Sequence, residues 1–253
     1  MVLSEEELKA EYCNVLSAIT REQDWGADDK YSGVFLPVMS SGYEKANPRV
    51  MLVGRETAGW NTDNNRNTMQ RVIRANESNT TGCIVEEAIE RYRKHLKRKP
   101  SGQFVTKDRS KFKQYYFEIA KELGQPADGL IYANLFAWDY NKKSPMLRPE
   151  SEFSPVTQLS MQLLAIQIKA FKPQFIIFAS GVNGIDRVIK DLFNNFLDGY
   201  KTVSVEPRKL WEFKSANYIC FRIAHPRAQN GHAKYRKEVI DRIKNYVQNS
   251  VPG

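Results

Sequence analysis

Four short apolar runs stand out from a chain that is otherwise mixed in polarity. They cover residues 50–53, 130–137, 175–179 and 218–224. Near-continuous hydrophobicity, rather than strict alternation, is typical of strands whose two faces are both covered in a parallel sheet. The pattern therefore predicts four buried strands.

Helical patterns lie between these runs. The clearest covers residues 154–170, with Ser154 as a candidate N-cap and Pro155 at the first helical position. Further helices are expected over residues 5–19 and 233–247. Because strands and helices alternate in this order, we expect a three-layer α/β/α sandwich with a mainly parallel four-stranded sheet.

Three further segments add to this framework. An apolar stripe that starts near a capping Asp108 and stops at Gly124 predicts another helix. Residues 201–214 alternate in polarity, which predicts a hairpin or an extra edge strand. The interval between the first two runs is far longer than one crossover needs. We therefore expect a single α/β domain over residues 1–253 that carries a basic, mostly helical insertion at 61–125.

The charge of the chain is concentrated in one place. Lys and Arg total 38 against 29 Asp and Glu, which gives a formal net charge of +9. Residues 91–113 hold ten of the cations and a single acid, Asp108, so this segment alone accounts for the excess. Such a patch favours an anionic partner, and a nucleic acid is a candidate. The candidate contacts, which the resemblance described below assigns to DNA, are Arg91, Arg93, Lys94, Lys97, Arg98, Lys99, Lys107, Arg109, Lys111, Lys113 and Arg227.

Several kinds of site are disfavoured by what the sequence lacks. Cys13, Cys83 and Cys220 form no C-x-x-C pair and the chain has three histidines, so we expect neither a metal nor another cofactor. The G-x-S-x-G, P-loop, G-x-G-x-x-G and H-E-x-x-H motifs are missing. The chain shows no signal peptide and no apolar run of about 20 residues. We expect a monomer in the cytoplasm, or in the nucleus of a eukaryote, without membrane contact.

Three polar side chains lie at predicted strands, where ligands of open α/β sheets bind. Glu56 comes just after the first strand, Asn134 lies in the second and His225 follows the last. A carboxylate can orient a water molecule, an amide can read the edge of a base, and an imidazole can donate to a developing anion. The structural alternatives are an ion pair of Glu56 with Arg55 or another base, a bond from Asn134 to a neighbouring loop, and a satisfied core or surface histidine.

The layout of these motifs resembles that of the uracil-DNA glycosylase superfamily. V-M-L-V-G-R-E-T-A-G, residues 50–59, is similar to the first motif of that family, a strand ending in Gly with the catalytic residue two positions later. By this resemblance Glu56 is catalytic, and Ala58 stands where the uracil-specific branch has a Tyr. I-Y-A-N-L-F places the base-reading amide on Asn134, and A-H-P-R places the histidine of the last motif on His225.

The resemblance implies a DNA glycosylase that flips a damaged or deaminated base out of the helix and hydrolyses its N-glycosidic bond. Glu56 would then orient the water, and His225 would stabilise the departing base. Asn134, Ala58 and Trp60 would bind that base, although an aromatic residue near a strand end often belongs to the core.

Two alternatives to a DNA glycosylase are open. The first is a catalytically inactive nucleic-acid-binding module on the same fold. Three departures from the family pattern favour it: Glu56 in place of Asp or Asn, Thr57 in place of Pro, and Arg227 in place of Ser. The second is an enzyme of free nucleotides or small glycosides. In that case the basic segment is only a solvated face of the protein.

Overall fold

The computed structural model describes residues 3–60, 68–229 and 231–249, so that residues 61–67 of the predicted insertion lie outside the described part. Within these ranges the strands are β1 (Val50–Gly54), β2 (Leu130–Asn134), β3 (Phe175–Phe178), β4 (Lys201–Glu206), β5 (Leu210–Ser215) and β6 (Tyr218–Ile223). The helices are α1 (Glu5–Ser17), α2 (Ser41–Glu44), α3 (Met69–Glu77), α4 (Thr81–Arg93), α5 (Lys111–Glu122), α6 (Glu150–Phe171), α7 (Ile185–Phe196) and α8 (His232–Asn249). The predicted α/β class is confirmed. None of these helices is both long enough and apolar enough to span a membrane.

The six strands of the described chain form one mixed sheet in the order β2-β1-β3-β6-β5-β4. β1, β3 and β6 are parallel neighbours, with Leu52 opposite Ile177 and Ile177 opposite Phe221. β6, β5 and β4 are antiparallel. The sheet therefore has six strands and is mixed, where four strands and a mainly parallel sheet were expected. The two additional strands come from residues 201–214, which fold as the hairpin that their alternation predicts.

The chain divides into two compact units. Unit 1 comprises Met1–Val38, Arg55–His95 and Ala133–Phe171. Unit 2 comprises Met39–Gly54, Leu96–Tyr132 and Lys172–Gly253. The division passes through the predicted insertion, because α3 and α4 fall in unit 1 whereas α5 falls in unit 2.

Helices cover both faces of the sheet in unit 2. On one face, α5 and α8 share a hydrophobic core with Leu52, Ile177 and Phe221, which come from three neighbouring strands. On the other face, Phe178 of β3 packs against Phe193 of α7, with ring centroids 6.2 Å apart. Burial on both faces explains why these strands are apolar along their whole length.

In unit 1, α1 is fixed at its start and along its buried face. Ser4 and Glu7 form a capping box, which satisfies backbone donors at the start of the helix. The helix packs on α4 and α6. Its fully buried Tyr12 donates a hydrogen bond to the carbonyl oxygen of Pro37 at 2.7 Å.

Two helix starts differ from the predicted ones. α6 begins at Glu150 rather than at Ser154, and Pro155 lies inside the helix. Proline there removes one backbone donor, which a 22-residue helix with an extensively buried face accommodates. α5 is capped by Ser110, whose side chain accepts a backbone N–H of the first turn. Asp108 instead accepts the N–H of Ser110 at 2.8 Å.

The three cysteines provide a test of this fold. Cys83 is exposed, Cys13 is half-buried and Cys220 is buried. Burial raises the pKa of the Cys13 and Cys220 thiols, so both stay protonated near neutral pH. When the protein is treated with a disulfide reagent that exchanges with thiols, we expect Cys83 to react rapidly, Cys13 slowly and Cys220 only after denaturation. Cys83→Ser should remove the rapid phase alone; rapid labelling of Cys220 in the native protein would contradict the fold.

Candidate functional site

The parallel strands of unit 2 end together. Because β1, β3 and β6 run in the same direction, their carboxyl ends at Gly54, Phe178 and Ile223 lie at one edge of the sheet. The strand order reverses next to β1, since β2 lies on one side of it and β3 on the other. Ligands of open α/β sheets bind beyond the carboxyl ends of strands at such a reversal. Glu56 and His225 follow two of these strand ends in the sequence, whereas Asn134 is the last residue of β2.

Glu56, which follows β1, is paired with its neighbour. Its side chain is 11% exposed and faces Arg55. Arg55 Nε donates to Oε2 at 2.7 Å, and Arg55 Nη2 donates to Oε1 at 2.9 Å. Such bidentate pairs are among the strongest charge-assisted hydrogen bonds. The ion pair with Arg55, one of the two alternatives for Glu56, is therefore formed.

Asn134 closes β2 and is buried, with 4% of its surface exposed. Neither Nδ2 nor Oδ1 of its amide has a hydrogen-bond partner among the described residues. Leaving a buried polar group without a partner costs on the order of 1–3 kcal/mol, and such groups are rare in folded proteins. The bond to a neighbouring loop, the structural alternative for Asn134, does not occur within the described residues. Its amide offers a donor and an acceptor that a ligand can satisfy.

Asp139, which was not among the predicted site residues, organises the loop that carries Glu56. It is fully buried. Its Oδ2 accepts from the Thr57 hydroxyl at 3.0 Å and from the N–H groups of Gly59 at 2.8 Å and Trp60 at 3.3 Å. Its Oδ1 accepts from a fourth donor, the backbone N–H of residue 142, at 2.8 Å. One buried carboxylate thus fixes the backbone just after Glu56.

Backbone hydrogen bonds tie the same loop to other parts of unit 1. The N–H of Phe136 donates to the Arg55 carbonyl at 2.8 Å, and the N–H of Gly33 donates to the Trp60 carbonyl at 2.8 Å. Gly59 has a φ of +83° within this loop, a conformation that strains any L side chain. Glu56 therefore sits in a loop that is held at both ends.

The other two predicted base contacts differ in accessibility. Ala58 is exposed. Trp60 is half-buried, and its ring packs against Phe35 with centroids 4.7 Å apart. The Arg91 guanidinium lies over the Trp60 ring at 5.0 Å from its centroid. Trp60 is therefore held in the packing of unit 1, and one of its ring faces is covered by a cation.

His225 belongs to unit 2 and follows β6. Its Nδ1 accepts from the N–H of Arg227 at 3.1 Å. A neutral imidazole that accepts at Nδ1 carries its proton on Nε2, so Nε2 is the donor. The ring stacks on Phe112 of α5 at 6.4 Å, and Phe112 packs in turn on Tyr132 at 4.7 Å. Part of the predicted insertion thus lies against His225.

The predicted site residues are divided between the units. Glu56, Ala58, Trp60 and Asn134 belong to unit 1, and His225 belongs to unit 2. Three of the predicted DNA contacts, Arg91, Arg93 and Lys94, lie at the end of α4 in unit 1. Unit 2 contains the others, which are Lys97, Arg98, Lys99, Lys107, Arg109, Lys111, Lys113 and Arg227. Across the described ranges, no cluster of three or more His, Cys, Asp or Glu side chains is placed to hold a metal ion.

No model of a known protein family matches the chain. No curated protein is significantly similar to it. Its function is therefore inferred from the residues and contacts described above.

The role of Asp139 in the loop predicts a loss of stability. Asp139→Asn turns one of its acceptors into a donor that faces backbone N–H groups, so the free energy of unfolding should fall by about 2–3 kcal/mol. The matched control is Asp28→Asn, which removes an exposed carboxylate paired with Lys30 and should leave the free energy of unfolding nearly unchanged. Urea unfolding measures both. Equal effects of the two substitutions would contradict the role of Asp139.

Proposed function

We propose that this chain is a DNA glycosylase-like enzyme with a uracil-DNA-glycosylase-like fold. It flips a damaged or deaminated base out of DNA and hydrolyses the N-glycosidic bond. The observation that carries this proposal is Asn134, a buried amide at the end of a strand with no hydrogen-bond partner among the described residues. A nucleobase presents a donor and an acceptor side by side, which is the pattern that one amide can bind with both of its polar atoms.

The proposed reaction uses one carboxylate and one imidazole. Water attacks C1′ of the sugar, and the C1′–N bond breaks with its electron pair on the base. Glu56 orients the water, takes up its proton and stabilises the positive charge that develops on the sugar. The Nε2–H of His225 donates to the negative charge that develops on the base, which is protonated on release. The proposal requires Glu56, Asn134 and His225 to reach the same nucleotide.

The polar surroundings of Glu56 support its proposed role. The loop that carries it is held by the buried carboxylate of Asp139, which accepts from residues on the carboxyl side of Glu56. A catalytic group that is held in place before the substrate binds pays less entropy in the transition state. Arg55 balances the charge of Glu56 in the protein without substrate. In the proposed reaction, Arg55 turns to a phosphate of the bound DNA, and the carboxylate is released.

A second candidate function is a nucleic-acid-binding module that recognises a base but does not hydrolyse it. The bidentate pair between Arg55 and Glu56 favours it, because both oxygens that would orient water are engaged. The two candidates share the same recognition by Asn134. They differ in whether a base is released.

Removal of the unpaired amide should separate stability from function. Asn134→Leu has a similar volume and removes a buried polar group, so the free energy of unfolding should rise by about 1–2 kcal/mol while recognition of the base is lost. The matched control is Asn76→Leu in the same unit. Asn76 donates to the carbonyls of Leu16 and Ile19 and accepts from Thr81, so this substitution should destabilise the protein. A large loss of stability in Asn134→Leu would show that the amide has a structural role instead.

Base release decides between the two candidates. The purified chain is incubated at low salt with single-stranded and duplex DNA containing uracil or hypoxanthine, and alkali-labile sites are counted. We expect release that falls at least about 100-fold in Glu56→Gln, because the carboxylate can no longer take a proton. Glu11→Gln, at an exposed position on α1, is the control and should keep full activity. Binding without any release, unchanged by Glu56→Gln, would support the module and contradict the enzyme.

A further inference from the structure

The ten cations of residues 91–113 do not have the same surroundings. Arg93 donates to Glu5 at 2.6 Å and to Glu90 at 2.7 Å, and Lys94 lies 3.8 Å from Glu90. Arg91 lies over the ring of Trp60. Arg91 and Arg93 therefore join α4 to its neighbours within unit 1, whereas Lys94 pairs with an acid of α4 itself. The charges of all three are balanced or used in packing.

The cations that follow in unit 2 lie on a small hairpin. Residues 97–105, here called the basic hairpin, are closed by the N–H of Lys99 on the Gln103 carbonyl and the N–H of Val105 on the Lys97 carbonyl, both at 2.8 Å. Arg98 and Phe104 form the bridge between its two arms, with the guanidinium 3.8 Å from the ring centroid. The hairpin is thus ordered by its own contacts.

Within the described residues, no acid pairs with the cations of the hairpin or with Lys107 and Arg109, which follow it. Lys97, Arg98, Lys99, Lys107 and Arg109 are exposed, and none makes an ion pair there. The single acid of the segment, Asp108, is engaged by the Ser110 N–H at 2.8 Å and by Lys113 at 3.7 Å. Exposed cations without acidic partners are the groups that phosphates bind.

Two of the exposed cations of unit 2 lie in segments of the chain that contact His225. Arg109 comes three residues before Phe112, whose ring stacks on His225, and α5 begins between them at Lys111. Arg227 is exposed, and its backbone N–H donates to the His225 ring. Exposed cations therefore occur in both segments that contact His225, at Arg109 just before α5 and at Arg227 after β6.

We infer that Lys97, Lys99, Lys107, Arg109 and Arg227 form the phosphate-binding surface of the protein, whereas Arg91, Arg93, Lys94 and Arg98 are engaged in structural contacts. This inference rests on the proposed function, because it takes DNA as the partner. According to this inference, the cations that bind DNA are not the whole of residues 91–113. They form a smaller set that belongs to unit 2 alone. The surface holds the backbone that flanks the nucleotide at His225.

Two triple substitutions that remove the same charge test this division. The first is Lys97→Gln with Lys99→Gln and Lys107→Gln, which leaves the bridge between Arg98 and Phe104 intact. The second is Arg91→Gln with Arg93→Gln and Lys94→Gln. Fluorescence anisotropy gives the affinity for a labelled DNA duplex over a range of salt concentrations. Thermal unfolding of each variant confirms that it is folded.

The first triple variant should reduce the magnitude of the slope of log affinity against log salt concentration by about 2.7, since each phosphate contact contributes about 0.9 to that slope. The second should leave the slope within about 0.5 of the wild type. Equal flattening by both variants would show that only net charge matters and would overturn the inference. No flattening by the first variant would overturn it as well.

The outcome is separate from that of the base-release assay. A flattened slope in the first variant only, in a protein that releases no base, supports the phosphate-binding surface and contradicts the enzyme. Release of a base with equal slopes in both variants supports the enzyme and contradicts the surface. A wild-type chain that neither binds DNA nor releases a base contradicts both.

Discussion

The parallel pairing of β1, β3 and β6 is the constraint on which the rest of the structure depends. Three neighbouring strands in one direction need both faces covered, and α5 and α8 on one side and α7 on the other supply that cover in unit 2. The same pairing brings three strand ends to one edge of the sheet. Polar residues that follow those strands are therefore placed by the geometry of the sheet, independently of their own chemistry.

Two buried polar side chains of unit 1 differ in how their hydrogen-bonding capacity is satisfied. Asp139 accepts four hydrogen bonds, so that a buried charge becomes the fixed point of the loop with Glu56. Asn134 has no partner for either atom of its amide among the described residues. The protein therefore forgoes stability at Asn134, whereas it satisfies the more costly buried carboxylate of Asp139. Such positions are where binding sites are expected.

Much of the fold could be predicted because apolar residue types mark the segments that are buried. The four apolar runs became β1, β2, β3 and β6 to within a few residues, and the alternation over residues 201–214 became the hairpin of β4 and β5. The start of α6 could not be predicted, because Pro155 is favoured at the first turn of a helix but also occurs inside this one. Local preference at one position is outweighed there by packing along the helix.

The candidate site was less predictable, since its contacts join residues far apart in the sequence. The pair of Glu56 with Arg55 joins neighbours and was foreseen as an alternative, whereas three of the four bonds of Asp139 reach back about 80 residues. Its one signal in the sequence was an acid two positions after the apolar run 130–137 that contains β2. The sequence of residues 91–113 likewise does not show which of its cations have acidic partners, because those partners come from other parts of the fold. A crystal structure with abasic DNA and the free base tests the central claim most directly. The account predicts that the Asn134 amide hydrogen-bonds the base and that Glu56 and His225 touch the same nucleotide; any of the three lying more than about 12 Å from it would contradict the account.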